Sequence, residues 1–540
     1  MEPRSFENEL TEHSHREAGE MAAFHDAYDD AVAAVRADLG GRHPAVVDGD
    51  PVETGEWFTV SSPGELDLTV GEFAAGDPET VHRAVAAARE TFADWRDWPP
   101  DERAALFRDA AAELRSRKFR LAATLSLENG KNRPEAMADV DEAIDFLRFY
   151  AREYERNDGY VYDTGRPTPD QHCTNLLRPY GVFGVVAPFN FPVAILAGMT
   201  TGAVVTGNTA VVKPASATPL VAHEFLDALS AAGVPDGVVN LVTGGGSDVG
   251  QPLVEHEDVA GVAFTGSREV GLGIQRTFVD SDKHGPVIAE LGGKNPVIVT
   301  GSADLDDAVE GVTMGAFGFS GQKCSATSRV YVERGRVDRF VDRVVAAAED
   351  LPIAPPTHRD AVMAPVVDDA ALARYRDVCE RAAAVGTVHT GDAAAGDDEF
   401  PTDRVPEGVD LPDGRYVAPT VVTGVPHEHD LAREEHFLPF VTVHPVDDLD
   451  EAIAKANDSD YGLCAGLFAA DEGEVETWLD RIESGMCYVN RARSATTGAL
   501  VQGQPFGGWK YSGTTGKFAG GYWYLPQFMR EQSRTVVRGE

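Results

Sequence analysis

One cysteine stands in the stretch Gly315-Ala-Phe-Gly-Phe-Ser-Gly-Gln-Lys-Cys-Ser-Ala-Thr-Ser-Arg329, among small turn-permissive residues and one lysine. Such surroundings suit a reactive thiol. Cys324 is expected at a helix edge, packed loosely enough to be reached, with its pKa lowered by backbone N–H groups and local positive charge. The competing reading is an inert buried thiol, where most lone cysteines end up. Thiolate attack on a carbonyl also requires an oxyanion donor, a base and, if oxidation follows, a hydride acceptor. Asn190, in Ala187-Pro-Phe-Asn-Phe-Pro192, follows a strand and lies between two prolines, an expensive place for an amide that points at nothing. Glu290 ends a short apolar strand before a Gly-Gly turn, where desolvation would raise its pKa toward that of a useful base. Taken singly, these two are as well read as a turn asparagine and a salt-bridge carboxylate.

The elements that must hold these residues follow from apolar spacing. Residues 1–40 are polar and acidic, with a helical part at Met21–Leu39, and are expected to form an arm lying on the surface. From Glu79 onward, apolar residues recur every three or four positions through Arg103–Glu128 and Pro134–Glu155, with Asn129-Gly-Lys as a stop between these two. Short apolar strands then alternate with helices: Val182–Ala187, Thr209–Val212, Val238–Val242 and Val259–Phe264. That alternation predicts a parallel sheet of Rossmann type. Glycine turns such as Gly244-x-Gly246-x-x-x-Gly250 leave backbone N–H groups free to meet a pyrophosphate, although the spacing departs from GxGxxG. A second series, with strands at Val330–Val332, Thr420–Val422 and Phe440–His444, runs to about Cys487. Its connector, Gly386–Arg415, is expected to be a surface loop, and Gln527–Val537 an edge strand or subunit-pairing arm.

Composition narrows the function classes. The chain has 540 residues, 43% hydrophobic, which suggests two or three domains and argues against disorder. Its net charge of −41 is dispersed, with arginine the main basic residue, as expected of a protein adapted to a salt-rich cytoplasm rather than of one binding a basic partner. No basic stripe is present to track phosphates, so nucleic acid is not an expected partner. The five cysteines are scattered and never form CxxC, which disfavours disulfides and structural zinc. His427-Glu-His429 lacks further ligands, so no metal is expected, and His172-Cys173 belongs to a hairpin spanning Tyr160–Pro179. The start of the chain has no apolar signal region, and the apolar stretch 181–212 is cut by prolines and asparagines. The expected setting is therefore the cytoplasm, without a membrane span.

Seven blocks carry a resemblance: Pro179-Tyr-Gly-Val-Phe-Gly…Pro188-Phe-Asn-Phe-Pro192, Val211-Val-Lys-Pro-Ala-Ser216, Phe264-Thr-Gly-Ser267, Glu290-Leu-Gly-Gly-Lys294, Gly321-Gln-Lys-Cys324, Glu434-Glu-His-Phe437 and Pro505-Phe-Gly-Gly508. In this order they resemble the aldehyde dehydrogenase superfamily from about residue 50 to the C-terminus. The resemblance implies an α/β fold: a Rossmann-type cofactor domain (41–159 and 180–290), an α/β catalytic domain (291–488) and bridging or oligomerisation segments (160–179 and 527–540). Residues 489–526 would form a substrate-anchor and return segment. It implies Cys324 as nucleophile, Asn190 with the Cys324 N–H as oxyanion hole, and Glu290 as the base for water. Lys213 would meet the adenosine ribose, Gly246, Gly250 and Ser267 the pyrophosphate, and Glu435 the nicotinamide ribose, with Phe437 packed beside it. Ser216 stands where many NAD-dependent members carry a carboxylate, so NADP as well as NAD is expected to be accepted. His436, Leu438 and Phe189 depart from the family pattern around the cofactor.

Within that superfamily, Phe317–Ala326, Asn490-Arg491, Thr497-Gly-Ala499, Gln504–Gly508, Ser512-Gly-Thr514 and Phe528–Ser533 resemble the 1-pyrroline-5-carboxylate dehydrogenases. These oxidise L-glutamate γ-semialdehyde to glutamate. The resemblance implies that Gly498 and Ala499 bind the substrate carboxylate through backbone N–H groups, that Ser325 adds a hydroxyl, and that Phe506 packs on the substrate stem. The longer segment Arg491–Thr497 departs from that pattern. The alternatives are a dehydrogenase of another short carboxylated aldehyde, such as succinate semialdehyde, and a non-catalytic, oligomer-forming paralogue. A homo-oligomer is expected.

Overall fold

The two series of alternating strands and helices become two seven-stranded sheets in the computed structural model, which describes residues 6–398, 400–492 and 500–538. In the first sheet the strands run in the order Val287–Glu290, Val259–Thr265, Val182–Val186, Thr209–Lys213, Val239–Leu241, Ala45–Val47, Asp50–Val52. The first five are mutually parallel and the last two antiparallel. Register decides what this sheet presents. Val186 pairs with Lys213 and with Phe264, and Thr265 pairs with Glu290. The loop of Asn190, the Lys213 side chain, the turn of Ser267 and Glu290 therefore all leave from the carboxyl edge, where parallel α/β sheets bind ligands.

The second sheet runs Thr387–Thr390, Thr420–Thr423, Phe440–Val446, Thr327–Glu333, Asn295–Val299, Cys464–Phe468, Met486–Val489, with only the first strand antiparallel. Asn295–Val299 begins just after the Gly-Gly turn and Thr327–Glu333 just after Cys324, and their first residues pair, Asn295 with Thr327. The segment after Glu290 and the segment around Cys324 thus enter one sheet side by side. A third, antiparallel sheet joins Met529–Val537, Gln171–Pro179 and Val161–Asp163, with Cys173 opposite Thr535. Among the described residues no helix is long and apolar enough to cross a membrane.

Three expectations change. The N-terminal helix, Met21–Asp38, is not an arm on the surface: Phe24, Tyr28 and Val35 lie on its inner face in the largest core cluster. Burying each large apolar side chain contributes roughly 1.5–3 kcal/mol, which holds the helix down despite its acidic exterior. Tyr28 donates to the Ala122 carbonyl at 2.8 Å and meets the Ser126 hydroxyl at 2.7 Å. The helical stretch expected over Arg103–Glu128 is two helices, Pro100–Ser116 and Lys118–Glu128, parted at Arg117. The connector after Gly386 is not wholly at the surface, since Thr387–Thr390 adds the edge strand and Ala393, Ala394 and Phe400 are buried.

Candidate active site

Cys324 follows the helix Leu305–Phe317 through a turn whose residues Phe319, Ser320 and Gly321 all have positive φ, at 49°, 50° and 66°. A Cβ on Gly321 would fall 2.1 Å from the Leu438 carbonyl oxygen, so only glycine fits there. Left-handed Phe319 and Ser320 cost about 1–3 kcal/mol each. The turn is held by bonds to one neighbouring strand of chain: Ser320 Oγ to the Ala364 carbonyl, Gln322 Nε2 to the Pro365 carbonyl at 3.1 Å, and Val367 N–H to Gln322 Oε1 at 2.9 Å. Beyond the turn, Asn295 Nδ2 donates to the carbonyls of Cys324 and Ala326, each at 2.8 Å. Asn295 lies one residue past the Glu290–Lys294 block and was missed in the sequence, because its role depends on a contact across the sheet.

The Gly-Gly turn is wedged between the two sides of the site. A Cβ on Gly292 would land on the Glu435 carboxylate, and one on Gly293 would lie 2.5 Å from the Cys324 carbonyl oxygen. Gly293 N–H donates to Glu435 Oε1 at 3.0 Å, and Ser512 Oγ donates to the Gly292 carbonyl at 2.7 Å. Burial pushes the Glu435 carboxyl up to about 7, against the Gly293 N–H and the Lys294 ammonium, which pull it down. Burial likewise drives Glu290 well above the ordinary carboxyl range, opposed by the Gly508 N–H. Its Oε2 is buried with no hydrogen-bond partner among the described residues. A carboxylate so placed is a proton acceptor with a spare lone pair.

The expected lowering of the Cys324 pKa is not what the structure shows. The side chain is buried, and burial, then Glu435 and Glu290, push the thiol far up, outweighing the N–H groups of Cys324 and Ser325. The positive charge expected beside it is engaged elsewhere: Lys323 Nζ lies 2.6 Å from Glu135 Oε1. The sulfur therefore carries its proton at neutral pH in the free chain, beside two carboxyl groups whose own hold on a proton is strengthened by burial. Asn190 is buried in its loop, and its amide makes no hydrogen bond to another described residue.

The residues expected to hold a dinucleotide form a cradle along the first sheet's edge. Lys213 is buried, donates to the Pro214 carbonyl at 2.9 Å and, among the described residues, faces no carboxylate, and burial lowers its pKa to about 8. Its stem passes Gly250, where a Cβ would sit 3.6 Å from Lys213 Cδ. A Cβ on Gly246 would meet nothing within 4 Å. The wide turn Gly246–Gly250 leads into the helix Gln251–Glu255. Ser267 caps the helix Arg268–Asp280 through the Val270 N–H at 3.4 Å, and Ser216 donates to the Gly244 carbonyl at 3.0 Å. An unpaired cation, a capped helix start and open glycine backbone fit an anionic dinucleotide. Phe437, with φ 61°, meets the edge of Phe189 at 5.7 Å. Phe437 and Phe506 both pack against the apolar cluster that contains Cys324, and Ser325 is buried beside it. Gly498 and Ala499 lie outside the described residues. His427 is engaged by Tyr331 and, at 3.1 Å, by Asp458.

Two α/β sheets meeting at a cysteine, with open glycine turns and a buried lysine along one edge, are the arrangement of an aldehyde-oxidising α/β fold. The aldehyde dehydrogenase family model matches residues 51–533, and the chain belongs to that family. It is 37% identical over 515 residues to 1-pyrroline-5-carboxylate dehydrogenase 1 of Halalkalibacterium halodurans, covering 94% of this chain and 95% of that one. It is also 37% identical to 1-pyrroline-5-carboxylate dehydrogenase 2 of Bacillus subtilis, covering 95% and 96%. A solved structure of the Thermus 1-pyrroline-5-carboxylate dehydrogenase with bound NAD is 35% identical with a TM-score of 0.90, covering 100% of both chains. Proline utilization A of Bdellovibrio bacteriovorus is 36% identical with a TM-score of 0.91, and this chain spans 54% of its length.

Proposed function

We propose that this protein oxidises L-glutamate γ-semialdehyde, the open form of 1-pyrroline-5-carboxylate, to L-glutamate with NAD or NADP, in proline breakdown. The names of its full-length relatives support the substrate. The observation that carries the chemistry is the Gly-Gly turn wedged between Cys324 and Glu435, with the unpartnered oxygen of Glu290 at its head. Cys324 gives its proton to a neighbouring carboxylate and its sulfur attacks the aldehyde carbon. The oxyanion is met by the Asn190 amide and the Cys324 N–H. A nicotinamide held beside Cys324 would supply the hydride acceptor, by which the carbon bonded to the Cys324 sulfur would reach the thioester level. Glu290 takes a proton from water, whose oxygen adds to the thioester carbon, and the acid departs as the sulfur is released.

In this reading Lys213 serves the adenosine ribose, Gly246, Gly250 and Ser267 the pyrophosphate, Glu435 the nicotinamide ribose, and Phe437 the ring end. Ser216 places no negative charge against a 2′-phosphate. Ser325 and Phe506, with Gly498 and Ala499, receive the substrate. The division into domains at 41–159 with 180–290 and at 291–488 follows the same reading. So do a homo-oligomer paired through 160–179 and 527–540 and a cytoplasmic site of action. The dispersed charge of −41 supports adaptation to salt. The test is steady-state turnover of pyrroline-5-carboxylate and of succinate semialdehyde in molar salt, each with NAD and with NADP. Preference for the first supports the assignment, and preference for succinate semialdehyde overturns it.

A further inference from the structure

Between the helices Lys118–Glu128 and Arg133–Arg156, residues 129–132 are all buried, and from this seat contacts reach both halves of the site. Toward the oxyanion loop, Asn129 Nδ2 donates to the Phe189 carbonyl. Asp139 Oδ1 accepts the Ala194 N–H at 2.7 Å, and the Lys131 ammonium stands 3.6 Å from the centre of the Phe191 ring. Toward the nucleophile, the same ammonium lies 5.2 Å from the Phe319 ring, in the left-handed turn before Cys324. Lys131 and Asp139 themselves form an ion pair at 2.8 Å with both side chains at 0% exposure.

A buried pair of this kind is a poor way to stabilise a fold, since desolvating two ions offsets most of their attraction and apolar replacements are often as stable. What it supplies is fixed geometry. One ammonium is held between rings on two loops, and its carboxylate partner ties down the N–H four residues after Asn190. Burial lowers the Lys131 pKa and raises that of Asp139, while each counters the shift in the other. Nearby Glu135 adds a second tie, to Lys323.

We propose that Lys131 and Asp139 are positioning residues for aldehyde oxidation, which hold the Asn190 amide in register with the Cys324 sulfur without touching substrate. The proposal rests on the roles given above to Asn190 and Cys324. Its test is a double-mutant cycle on the holoenzyme, read as the pre-steady-state burst of reduced cofactor with pyrroline-5-carboxylate. Asn190→Ala should slow the burst by about 10²–10³-fold, the loss of an oxyanion donor. Lys131→Met should slow it by roughly ten-fold or more in the otherwise native enzyme, with cofactor Kd and the rate of Cys324 alkylation by iodoacetamide within about two-fold, and should have little further effect when Asn190 is already alanine. Asp139→Asn keeps an acceptor for Ala194 and gives the same reading should Lys131→Met fail to fold. A normal burst in both variants, or losses that multiply with Asn190→Ala, overturns the positioning role alone. A normal burst in Asn190→Ala overturns the oxyanion assignment and this proposal together.

Discussion

In the helical layer beneath the first sheet, two buried side chains of ionisable type are met from within the chain. Lys131 faces Asp139 at 2.8 Å, and the Glu128 carboxylate accepts the N–H groups of Leu220 and Val221 at 2.6 and 3.1 Å. Along the crevice at the sheet's carboxyl edge the same residue types are buried and left open. Among the described residues Lys213 has only a neighbouring carbonyl, and Glu290 Oε2 has no partner. Lysine and glutamate are therefore not diagnostic by type or by burial. For these four the contrast lies in what the fold sets against them; because Glu135 and Glu224 in the helical layer also keep one oxygen without a partner among the described residues, an open oxygen points to a ligand only where it faces the crevice.

Substitutions at these groups should separate the two regions. The largest effect is expected for Cys324→Ala, which should abolish aldehyde oxidation while leaving cofactor binding intact by fluorescence titration; residual turnover would move the nucleophile elsewhere. Glu290→Gln should cost about 10²–10⁴-fold in turnover. Because burial raises the Glu290 pKa, its basic form accumulates only as pH rises, so the native rate should climb toward alkaline pH and the variant's profile should be flat. An unchanged profile would assign the base to another group. Lys213→Met removes a charged donor worth about 1.5–3 kcal/mol. The cofactor KM should rise by about ten- to a hundred-fold with kcat nearly unchanged, and an unaltered KM would make this lysine as internal as Lys131.

The smallest effect is expected at Glu128. Burial first, opposed by the two N–H groups, raises its carboxyl from 4.5 to about 8. Between those values the unfolded chain loses the proton and the folded chain keeps it, so its contribution to stability is complete below 4.5 and is lost as pH rises through 8. Glu128→Gln should leave kcat unchanged and flatten that part of the Tm–pH curve. A variant that instead loses activity would blur the distinction between the regions.

The sequence made the parallel strands legible because β-branched runs alternate with amphipathic helices, and it made Cys324, Asn190 and Glu290 legible because each sits in a short block of unusual turn residues. It hid the sign of the thiol's pKa shift. Lys323 adjoins Cys324 in the chain, but its charge is taken by Glu135, 188 positions away. Lys131 reads as part of a helix stop, since nothing local to Asn129-Gly-Lys announces two aromatic rings and a carboxylate from elsewhere in the chain. The inward face of the N-terminal helix is also written in the sequence. Phe24, Tyr28 and Val35 fall at spacings of four and seven, an inward stripe that acidic composition obscured.

That helix has a practical consequence. Tyr28 grips Ser126, and the Ser126 hydroxyl donates at 2.7 Å to the Lys131 carbonyl, so the leading helix is joined by two contacts to the support of the reaction centre. Trimming the first forty residues to ease purification, or displacing them with a bulky fusion partner, would loosen the enzyme at its working parts rather than at a dispensable fringe.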